Sequence, residues 1–591
     1  MTDRLRSAAG IGGAVALAIL LLVPGIGGAP FDDPGEGQHA EIAREMVASG
    51  DWLALRLNGV PYLDKPPLLY WLEGAAFSAA GAHEWTARLA PVLGTVLATA
   101  GTAVLGARML GPAGGFFAAG ALLSSTLFVS FGRYVRPETL FVASIQWGFT
   151  GLLLGLAEAR PRAARVWSLL GCTALGVASL AKDPLGLIGP LAAIGASLAL
   201  CGAARPVRRW LPPAGIALLL LVGAGWHTIA LRRHGFAWYA LIDNHLLNAL
   251  RLRRFPDEDV PLSALEFLGT SALGAFPWIA SAALTVAALV GRRAWNIREE
   301  QAWTALALWA TAVVAAFAII PFRLPHYALP AYPAIALLAA RAWHERPPRR
   351  MIAGHLLVFV CLAVACALVA ASDGRAFMQT VFSTADVYTR KEEALGQTAL
   401  SLSWSALQPL FVDGALIWGV GSLGLALALR RRWERLGRWV ALTAMLGMMP
   451  AVVVAASATG SSRAVSSMAA EVNRRLRPGE VLVHEGPIEN SGALEFYSGW
   501  RPILLDATRS VLGFAATLPE SREIFWDGAR LRSEWCTNRR ILLVTPRPPL
   551  ASAVTGLPEG SARLLFIDNG RRLYESVSSG ACSDKPAAGR S

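Results

Sequence analysis

Acidic side chains gather directly after the first apolar run of the chain, in the segment FDDPGEGQHAEIAREM, as Asp32, Asp33 and Glu36. A carboxylate within hydrogen-bonding reach of a substrate can accept a proton from it. The competing interpretation is an ordinary solvated loop charge, because a charge at a membrane interface costs little free energy. We assign the solvated role to Asp32 and keep Asp33 and Glu36 as candidate general bases.

A further acidic candidate is Glu138, at the outer start of an apolar run in the segment GRYVRPETLF. Arg133, Tyr134 and Arg136 precede it and form a compact polar group with it. Ionisable residues at the edge of a membrane span are functional candidates by default. Glu138 is therefore a candidate for acid–base chemistry, with a solvated loop charge again as the alternative.

Several cations stand on the same side of the apolar runs as these acids, where positive charge is normally sparse. They are Lys65, Lys182, Arg323 and the run Arg251, Arg253 and Arg254. Carboxylates would be their ordinary partners, whereas phosphate would be a functional one, because lysine and arginine donate charge-assisted hydrogen bonds to phosphate oxygens. Carboxylates and phosphate-binding cations at one membrane surface indicate an enzyme whose substrate is a phosphorylated lipid.

A histidine and an aspartate raise the question of a metal. His245 lies in the segment LIDNHLLNAL, and Asp64 directly precedes Lys65. Imidazole and carboxylate groups are ligands for divalent metals. A lone histidine is more often structural, so both interpretations of His245 stay open.

The elements that must position these residues are membrane spans. Of the 591 residues, 54% are hydrophobic and 16% charged, whereas soluble proteins carry about 25% charged residues. Apolar runs near twenty residues long recur, each enough to cross roughly 30 Å of hydrocarbon. We predict a polytopic α-helical membrane protein with about thirteen spans, at 8–28, 88–107, 113–131, 139–157, 167–181, 184–202, 211–231, 263–290, 302–320, 327–343, 352–371, 409–429 and 439–457.

Arginines cluster in the short loops at one end of these spans, and this identifies the cytoplasmic side. The N-terminus is then predicted inside and the C-terminus outside. Residues 1–457 form the membrane domain, with long outer loops at 29–87, 232–262 and 372–408. Since the polar complexity lies in these loops, the site is expected at the outer face. The same distribution accounts for the net charge of +13 without a nucleic-acid partner.

The outer parts of the chain have their own predicted elements. In the first outer loop, GQHAEIAREMVASG predicts a short amphipathic helix that ends at a glycine. KPPLLYWLEGAAFSAAG predicts a second helix with prolines in its first turn, and both helices can lie flat on the membrane. Alternating helix and strand patterns over 458–580 predict a small periplasmic α/β domain with a parallel or mixed sheet. Residues 581–591 are predicted to be disordered. A disulfide between Cys536 and Cys582 is one of two open alternatives for these cysteines.

Several segments resemble a known family. The run HAEIAREMVASGDW, followed by NGVPYLDKPPLLYW, is similar to the first outer loop of the lipid-linked sugar transferases that include the aminoarabinose transferase of lipid A. The resemblance continues in GRYVRPE, LAKDP, FAWYALIDNHLLNAL and FRLPHYALPAYPAIALL, and it covers residues 30–345. These are C-type glycosyltransferases, related to the protein O-mannosyltransferases. The resemblance implies a polyprenyl-phosphate sugar donor and inverting transfer, and it leaves the sugar open.

The resemblance also implies roles for residues by their position. Asp64 and His245 match residues implicated in binding a divalent metal, for which Mg, Mn and Zn are the options. Donor-phosphate contacts are implied for Lys65, Lys182 and Tyr327, with Arg323 as a basic position beside them. Glu138 matches a second acidic residue that is usually aspartate.

The chain departs from the family pattern where the catalytic acid is expected. Related sequences commonly read Asp-Pro-Asp-Glu, whereas this chain has Gly35 at the third position. Gln38 and His39 stand where Arg and Tyr are common, and Asp183 stands where Gly is usual. Three explanations stay open: Asp33 or Glu36 has taken over, the acceptor differs, or the activity has been lost.

From the sequence we predict an inverting glycosyltransferase that moves a sugar from a polyprenyl-phosphate donor to a lipid, glycan or protein acceptor at the outer face of the bacterial inner membrane. Asp33, or else Glu36, would be the base, with Glu138 orienting the acceptor or sharing that role. The alternatives are a carrier-lipid-binding protein that has lost catalysis and a lipid or glycan transporter. A transporter would more often carry ionisable residues in mid-span and show related halves.

Overall fold

The computed structural model describes residues 2–232, 262–320, 323–344, 349–382, 402–537 and 539–577, together with residues 239, 247 and 252. Several predictions lie outside the described residues: His245, the Arg251, Arg253 and Arg254 run, Cys582 and the tail 581–591. Cys536 is described, and it is disulfide-bonded.

Helices dominate residues 2–461. They are α1 (Thr2–Leu22), α2 (Gly37–Ser49), α3 (Leu68–Ala80), α4 (Glu84–Leu123), α5 (Thr126–Phe131), α6 (Glu138–Ala157), α7 (Pro161–Ala181), α8 (Leu185–Leu200), α9 (Val207–Trp210), α10 (Pro213–Ala230), α11 (Ala264–Gly274), α12 (Trp278–Gly291), α13 (Gln301–Ile319), α14 (Tyr332–His344), α15 (Arg349–Ala371), α16 (Trp404–Arg431) and α17 (Glu434–Ser461). A 3-10 segment, Pro325–Ala331, precedes α14.

The membrane class predicted from composition is confirmed. Within the described residues, nine helices are long and apolar enough to cross a membrane, or ten if α11 and α12 form one span. Every predicted span coincides with one or two of the helices above. Since α8 and α14 are short, the count of about thirteen stays a prediction.

Helix α4 contains two spans rather than one. At Gly111 its backbone leaves helical geometry, with φ 78° and ψ 173°, a conformation that glycine adopts without steric cost. The chain then folds back on itself. The close approach shows this, since a Cβ added to Gly106 would lie only 2.9 Å from the Cα atom of Gly115. This agrees with the separate spans predicted at 88–107 and 113–131.

The predicted span 263–290 is not straight. Its two helices, α11 and α12, meet at an angle of 102°. Pro277 stands directly before α12, and because proline has no N–H it cannot donate a hydrogen bond back to α11 at this break. These residues therefore form a bent span or a re-entrant pair.

Both helices predicted in the first outer loop are confirmed. The N–H of Gly50, at φ 70°, bonds to the carbonyls of Met46 and Val47 and ends α2. At the end of α3 the N–H of Gly81 bonds to the Phe77 carbonyl. Strands β1 (Arg56–Leu57) and β2 (Val60–Pro61) form a short hairpin between the two helices. Nine of the 13 residues of α2 are buried, so this helix lies inside the protein rather than flat on a membrane.

The C-terminal part is an α/β domain, as predicted. Its helices and strands are α18 (Ser466–Arg475), β3 (Val481–Glu485), α19 (Leu494–Ser498), β4 (Ile503–Leu505), β5 (Phe525–Trp526), α20 (Gly528–Trp535), β6 (Ile541–Thr545), β7 (Ala562–Asp568) and β8 (Arg571–Ser576). The strand order is β5-β4-β3-β6-β8-β7; the first four strands are parallel, and β8 is antiparallel to β6 and β7. The sheet is therefore mixed. The boundary predicted between 457 and 458 falls inside α17.

This domain packs directly on the first outer loop. The side chain of Asn58 donates to the Pro502 carbonyl at 3.0 Å, and the Phe31 N–H donates to the Tyr497 hydroxyl at 2.9 Å. A Cβ added to Gly492 would lie 2.5 Å from the backbone nitrogen of Gln38, so a glycine is needed for the backbones to approach this closely. The domain thereby covers one side of the loop that carries the predicted acids.

Candidate active site

The hairpin of α6 and α7 forms the base of the site. Glu138 is the first residue of α6, and Lys182 directly follows α7. Because the two helices are antiparallel neighbours, these ends lie at the same level. A Cβ added to Gly151 would lie 2.5 Å from the backbone nitrogen of Gly171, so the helices touch through small residues, as membrane helices commonly do.

Glu138 is the centre of a buried charge cluster. Its Oε1 accepts a hydrogen bond from Lys182 Nζ at 3.1 Å and lies 3.3 Å from His326 Nε2. Its Oε2 is buried without a hydrogen-bond partner among the described residues. Burial holds the pKa of His326 well below its usual range, so this ring is neutral. One carboxylate oxygen is thus held by a cation, and the other has hydrogen-bonding capacity in reserve.

A second cation stands between β2 and α3. Lys65 Nζ donates to Asp64 Oδ2, and the Tyr239 hydroxyl donates to Asp64 Oδ1 at 3.1 Å. Burial would raise the pKa of Asp64, but the charge and hydrogen bond of Lys65 outweigh it, and the pKa is lowered. Burial and then the charge of Lys65 lower the pKa of Lys182, against the opposing effect of Glu138. The two ammonium groups are therefore within electrostatic reach of each other.

Tyr327 covers the ammonium group of Lys182. The Lys182 Nζ atom lies 4.8 Å from the Tyr327 ring centroid, a distance at which the ring attracts a cation. The ring of His326 packs edge to face on Tyr327, with centroids 5.0 Å apart. The structure thus brings together five residues that the sequence analysis singled out: Asp64, Lys65, Glu138, Lys182 and Tyr327.

Glu36 lies apart from this cluster and is bound on all sides. Arg88 donates to both of its carboxylate oxygens, at 2.9 and 2.7 Å. The N–H groups of Val135 and Asp32 donate to the same carboxylate at 3.1 and 3.0 Å. A buried bidentate ion pair of this kind loses much stability when one partner is removed. Glu36 therefore joins the first outer loop to α4, and its lone pairs are not available to a substrate.

Asp33 faces the C-terminal domain. Its Oδ1 accepts a hydrogen bond from the Ala493 N–H at 3.1 Å, and its side chain is fully buried. Burial raises the pKa of Asp33 to about 7, although the charge of Arg571 opposes this. The geometry gives Asp33 a contact role between the two parts of the chain rather than a place beside Lys65 and Lys182.

Two buried acids, Asp33 in the turn before α2 and Glu41 within α2, predict a pH-dependent packing of this segment. Burial raises the pKa of Asp33 to about 7 and that of Glu41 to about 8, from ordinary values of 3.8 and 4.5. The folded protein then holds protons that an unfolded chain has already released, so its stability falls as the pH rises from these ordinary values toward 8. We expect hydrogen exchange over residues 37–49 to be slower at pH 6 than at pH 9, after correction for intrinsic exchange.

Two variants check the origin of this effect. Glu41→Gln removes a titrating group and should reduce the difference between pH 6 and pH 9. Glu559→Gln changes an exposed acid of the same sheet domain and should leave the difference unchanged. Equal corrected exchange at both pH values in the unmodified protein would contradict the prediction.

Arg323 is occupied by backbone carbonyls. Its guanidinium donates to the carbonyl of Ile320 at 3.0 and 2.7 Å and to that of Leu262 at 3.1 Å. The side chain is buried, with 9% of the residue exposed. These hydrogen bonds join the segments that contain Ile320 and Leu262, and they occupy the guanidinium that a phosphate would need.

The described residues do not assemble a metal site. Within residues 2–577 as described, no three His, Cys, Asp or Glu side chains come together in a metal-binding arrangement. Both oxygens of Asp64 already accept hydrogen bonds, from Lys65 and Tyr239. The side chains present therefore do not fit a metal by themselves, and the metal predicted with His245 stays a prediction.

Two histidines of the cluster were not assigned a role from the sequence. His326 lies in the segment FRLPHY, which carried the resemblance, but a lone histidine does not reveal its partner. His39 is buried, with its Nδ1 atom 2.9 Å from the Tyr70 hydroxyl. Burial and then the charge of Arg136 lower the pKa of His39 to about 3, so this ring is neutral too. The sequence shows that both histidines are present, but only the fold shows which side chains they contact.

The fold is the one seen in solved structures of ArnT. Two crystal structures of ArnT from Cupriavidus metallidurans, one bound to undecaprenyl phosphate and one without ligand, each superpose with a TM-score of 0.76. They are 23% and 22% identical to this chain, and the match covers 96% and 97% of it and 98% of each of theirs. At this identity the likeness establishes the fold.

Sequence comparison agrees with the fold. A family model described as dolichyl-phosphate-mannose-protein mannosyltransferase matches residues 64–227. Proteins named undecaprenyl phosphate-alpha-4-amino-4-deoxy-L-arabinose arabinosyl transferase are 26% identical over 336 residues in Edwardsiella ictaluri and 28% over 338 residues in Pectobacterium carotovorum. These matches cover 55% and 56% of this chain and 58% of each relative. The resemblance to aminoarabinose transferase-like C-type glycosyltransferases is thereby confirmed, and the matched region spans somewhat more than half of each relative.

Proposed function

We propose that this chain is an inverting glycosyltransferase that moves a sugar from a polyprenyl-phosphate donor to a lipid, glycan or protein acceptor. The observation that carries the proposal is the cluster in which Lys182 pairs with the buried carboxylate of Glu138, while Lys65, paired with Asp64, lies within electrostatic reach of Lys182. Two partly buried cations whose carboxylate partners among the described residues are Asp64 and Glu138 can still attract an anion. A lipid phosphate is an anion that reaches a cluster at the end of membrane helices while its tail stays in the bilayer.

The leaving group defines what the cations do. When the bond between the anomeric carbon and the phosphate oxygen breaks, negative charge grows on that oxygen. Lys65 and Lys182 are positioned to stabilise it, with Tyr327 holding Lys182 from the side. Preorganised charges of this kind commonly supply the largest part of the rate enhancement. The acceptor attacks from the opposite face in one displacement, which inverts the anomeric centre.

Glu138 has two roles: it positions a cation, and it can contact the reactants. Through Oε1 it fixes the Lys182 ammonium, and through Oε2 it can accept a hydrogen bond from the sugar or the acceptor. This deepens the role expected from the sequence, in which Glu138 orients the acceptor or shares in its activation. A divalent metal would add a further positive charge near Asp64, and the steps above do not depend on it.

The names of the relatives suggest the substrate class. The curated relatives are named for an undecaprenyl phosphate-linked aminoarabinose, and one ArnT crystal structure holds undecaprenyl phosphate. We carry this over as a proposal for the donor, with lipid A as the first acceptor to try. We also propose a bacterial inner-membrane location, with the N-terminus in the cytoplasm and the C-terminal domain in the periplasm, on the distribution of arginines.

A binding protein without catalysis is the second candidate, and Gly35 is the observation that favours it. The transporter alternative has less support, since the clustered charges lie at helix ends and in loops rather than in mid-span.

Reconstitution with labelled donors tests the proposal. The full chain in proteoliposomes would be given radiolabelled polyprenyl-phosphate sugars, including aminoarabinose and mannose, with lipid A or water as acceptor. We expect release of free polyprenyl phosphate together with a labelled product of inverted configuration. Tight donor binding without any turnover would support the binding protein instead.

A further inference from the structure

The missing acid at position 35 leaves the acceptor without an obvious base. Glu36, one neighbour expected to replace it, is enclosed by Arg88. Asp33, the other, is fully buried against Ala493 of the C-terminal domain, and its Oδ2 has no hydrogen-bond partner among the described residues. The side of the cluster where residue 35 lies therefore needs another group if an acceptor proton is to be removed there.

The hydroxyl of Tyr134 occupies the space that a side chain at position 35 would fill. A Cβ added to Gly35 would overlap the Tyr134 hydroxyl and its ring. An aspartate at position 35 would require the Tyr134 side chain to leave its observed position. The glycine and the tyrosine are thus a matched pair, in which the phenol takes the place of the absent carboxylate.

Asp32 provides the phenol with a proton acceptor. The Tyr134 hydroxyl donates to Asp32 Oδ2 at 2.9 Å. Arg463 NH1 lies 3.9 Å from Asp32 Oδ1, and both residues are buried. The solvated role predicted for Asp32 is therefore wrong, because the fold packs this carboxylate against Tyr134 and Arg463. A nearby guanidinium favours the ionised carboxylate. Asp32 is therefore equipped to accept a proton, while the half-buried phenol stands between it and the outside.

Tyr134 also borders the charge cluster. Its ring packs against Phe131 with centroids 5.7 Å apart, and Phe131 packs against His326 at 5.0 Å. His326 is the residue that contacts Glu138. One aromatic layer therefore separates the Tyr134–Asp32 pair from the cations proposed to bind the donor phosphate.

We propose that Tyr134 and Asp32 form the proton-accepting pair that activates the acceptor, a deepening that rests on the proposed glycosyl transfer. The acceptor's proton passes to the Tyr134 oxygen as the phenol proton passes to Asp32 Oδ2. The acceptor atom forms its bond to the anomeric carbon, the bond from that carbon to the phosphate oxygen breaks, and its electron pair leaves with the lipid phosphate. Asp32 ends protonated, and the new proton on Tyr134 replaces the one it gave up.

Single-atom variants test the pair in the proteoliposome assay. Tyr134→Phe and Asp32→Asn should each lower kcat by about 10²–10⁴-fold, the usual contribution of general base catalysis, while the KM for the donor changes by less than about threefold. Tyr332→Phe is the matched control, because its buried hydroxyl donates to the Ser271 carbonyl at 2.9 Å, away from the cluster. It should keep the kcat of the unmodified protein.

Compensation provides a second test that does not depend on the fold of a single variant. Tyr134→Ala makes room at position 35, so adding Gly35→Asp to it should raise kcat at least about tenfold above Tyr134→Ala alone. Retention of full kcat by Tyr134→Phe, or no gain in the double variant, would overturn the pair while leaving glycosyl transfer intact. No transfer by the unmodified chain with any donor would remove the proposed function and this inference together.

Discussion

Glu138→Gln is expected to lower the rate of sugar transfer by about 10²–10⁴-fold. The substitution keeps the size of the side chain but removes the charge that holds Lys182 at 3.1 Å. Without that charge the partly buried Lys182 ammonium has a weaker partner, which favours its neutral form. The transition state then loses both a fixed cation and a hydrogen-bond acceptor. The rate is measured as release of labelled polyprenyl phosphate under single-turnover conditions.

Two further variants show whether the charge or the shape of Glu138 matters. Glu138→Asp keeps the carboxylate, one methylene shorter, and should retain more activity than Glu138→Gln. Glu158→Gln, just beyond the other end of α6, should transfer at the normal rate. If Glu138→Gln and Glu158→Gln were equally active, the cluster would not be the site of reaction.

Removing the charge of Lys65 should produce the second large effect. We expect Lys65→Met to reduce kcat/KM by about 10²–10³-fold, the loss found when one stabiliser of a developing oxyanion is removed. The loss should appear partly in donor affinity, since Lys65 and Lys182 both attract the phosphate before and during the reaction. Binding of undecaprenyl phosphate to the purified protein, alongside the transfer assay, separates the two contributions.

Two further variants show whether the positive charge at position 65 is what the leaving phosphate requires. Lys65→Arg keeps a positive charge beside Asp64 and should lose less activity than Lys65→Met. Arg375→Met removes an exposed cation whose side chain is 82% accessible and pairs with Asp373, and it should change neither affinity nor rate. Unchanged phosphate binding by Lys65→Met would exclude Lys65 from the donor site.

The C-terminal domain contacts the first outer loop, and this loop carries residues of the site. It contacts Asp33, Asn58 and Phe31, which flank the segments that carry Gly35 and Lys65. Because α2 is buried between this domain and α3, changes in docking are transmitted to the acidic turn before α2. The pH-dependent exchange predicted above therefore also reports on how firmly the loop of the site is held.

Much of the architecture could be predicted from the chain alone. The length of an apolar run sets whether it can cross a bilayer, and a glycine such as Gly50 marks where a helix of the outer loop ends. Charges on the outer side stand out against the positive-inside trend, so Lys65, Lys182 and Glu138 were recognisable as candidates. These are local properties, and they do not require knowledge of which helices are neighbours.

Only the tertiary structure decided which candidates act together. In the sequence, Asp33 and Glu36 are equally good candidates to replace the acid expected at position 35. In the structure, Asp33 contacts Ala493, whereas Glu36 is enclosed by Arg88. The partners of these carboxylates are 460 and 52 residues away, a separation across which spacing carries no information about contact. The same holds for Tyr134 beside Gly35. Composition and periodicity determine the elements, whereas the accessibility of a lone pair depends on how those elements pack.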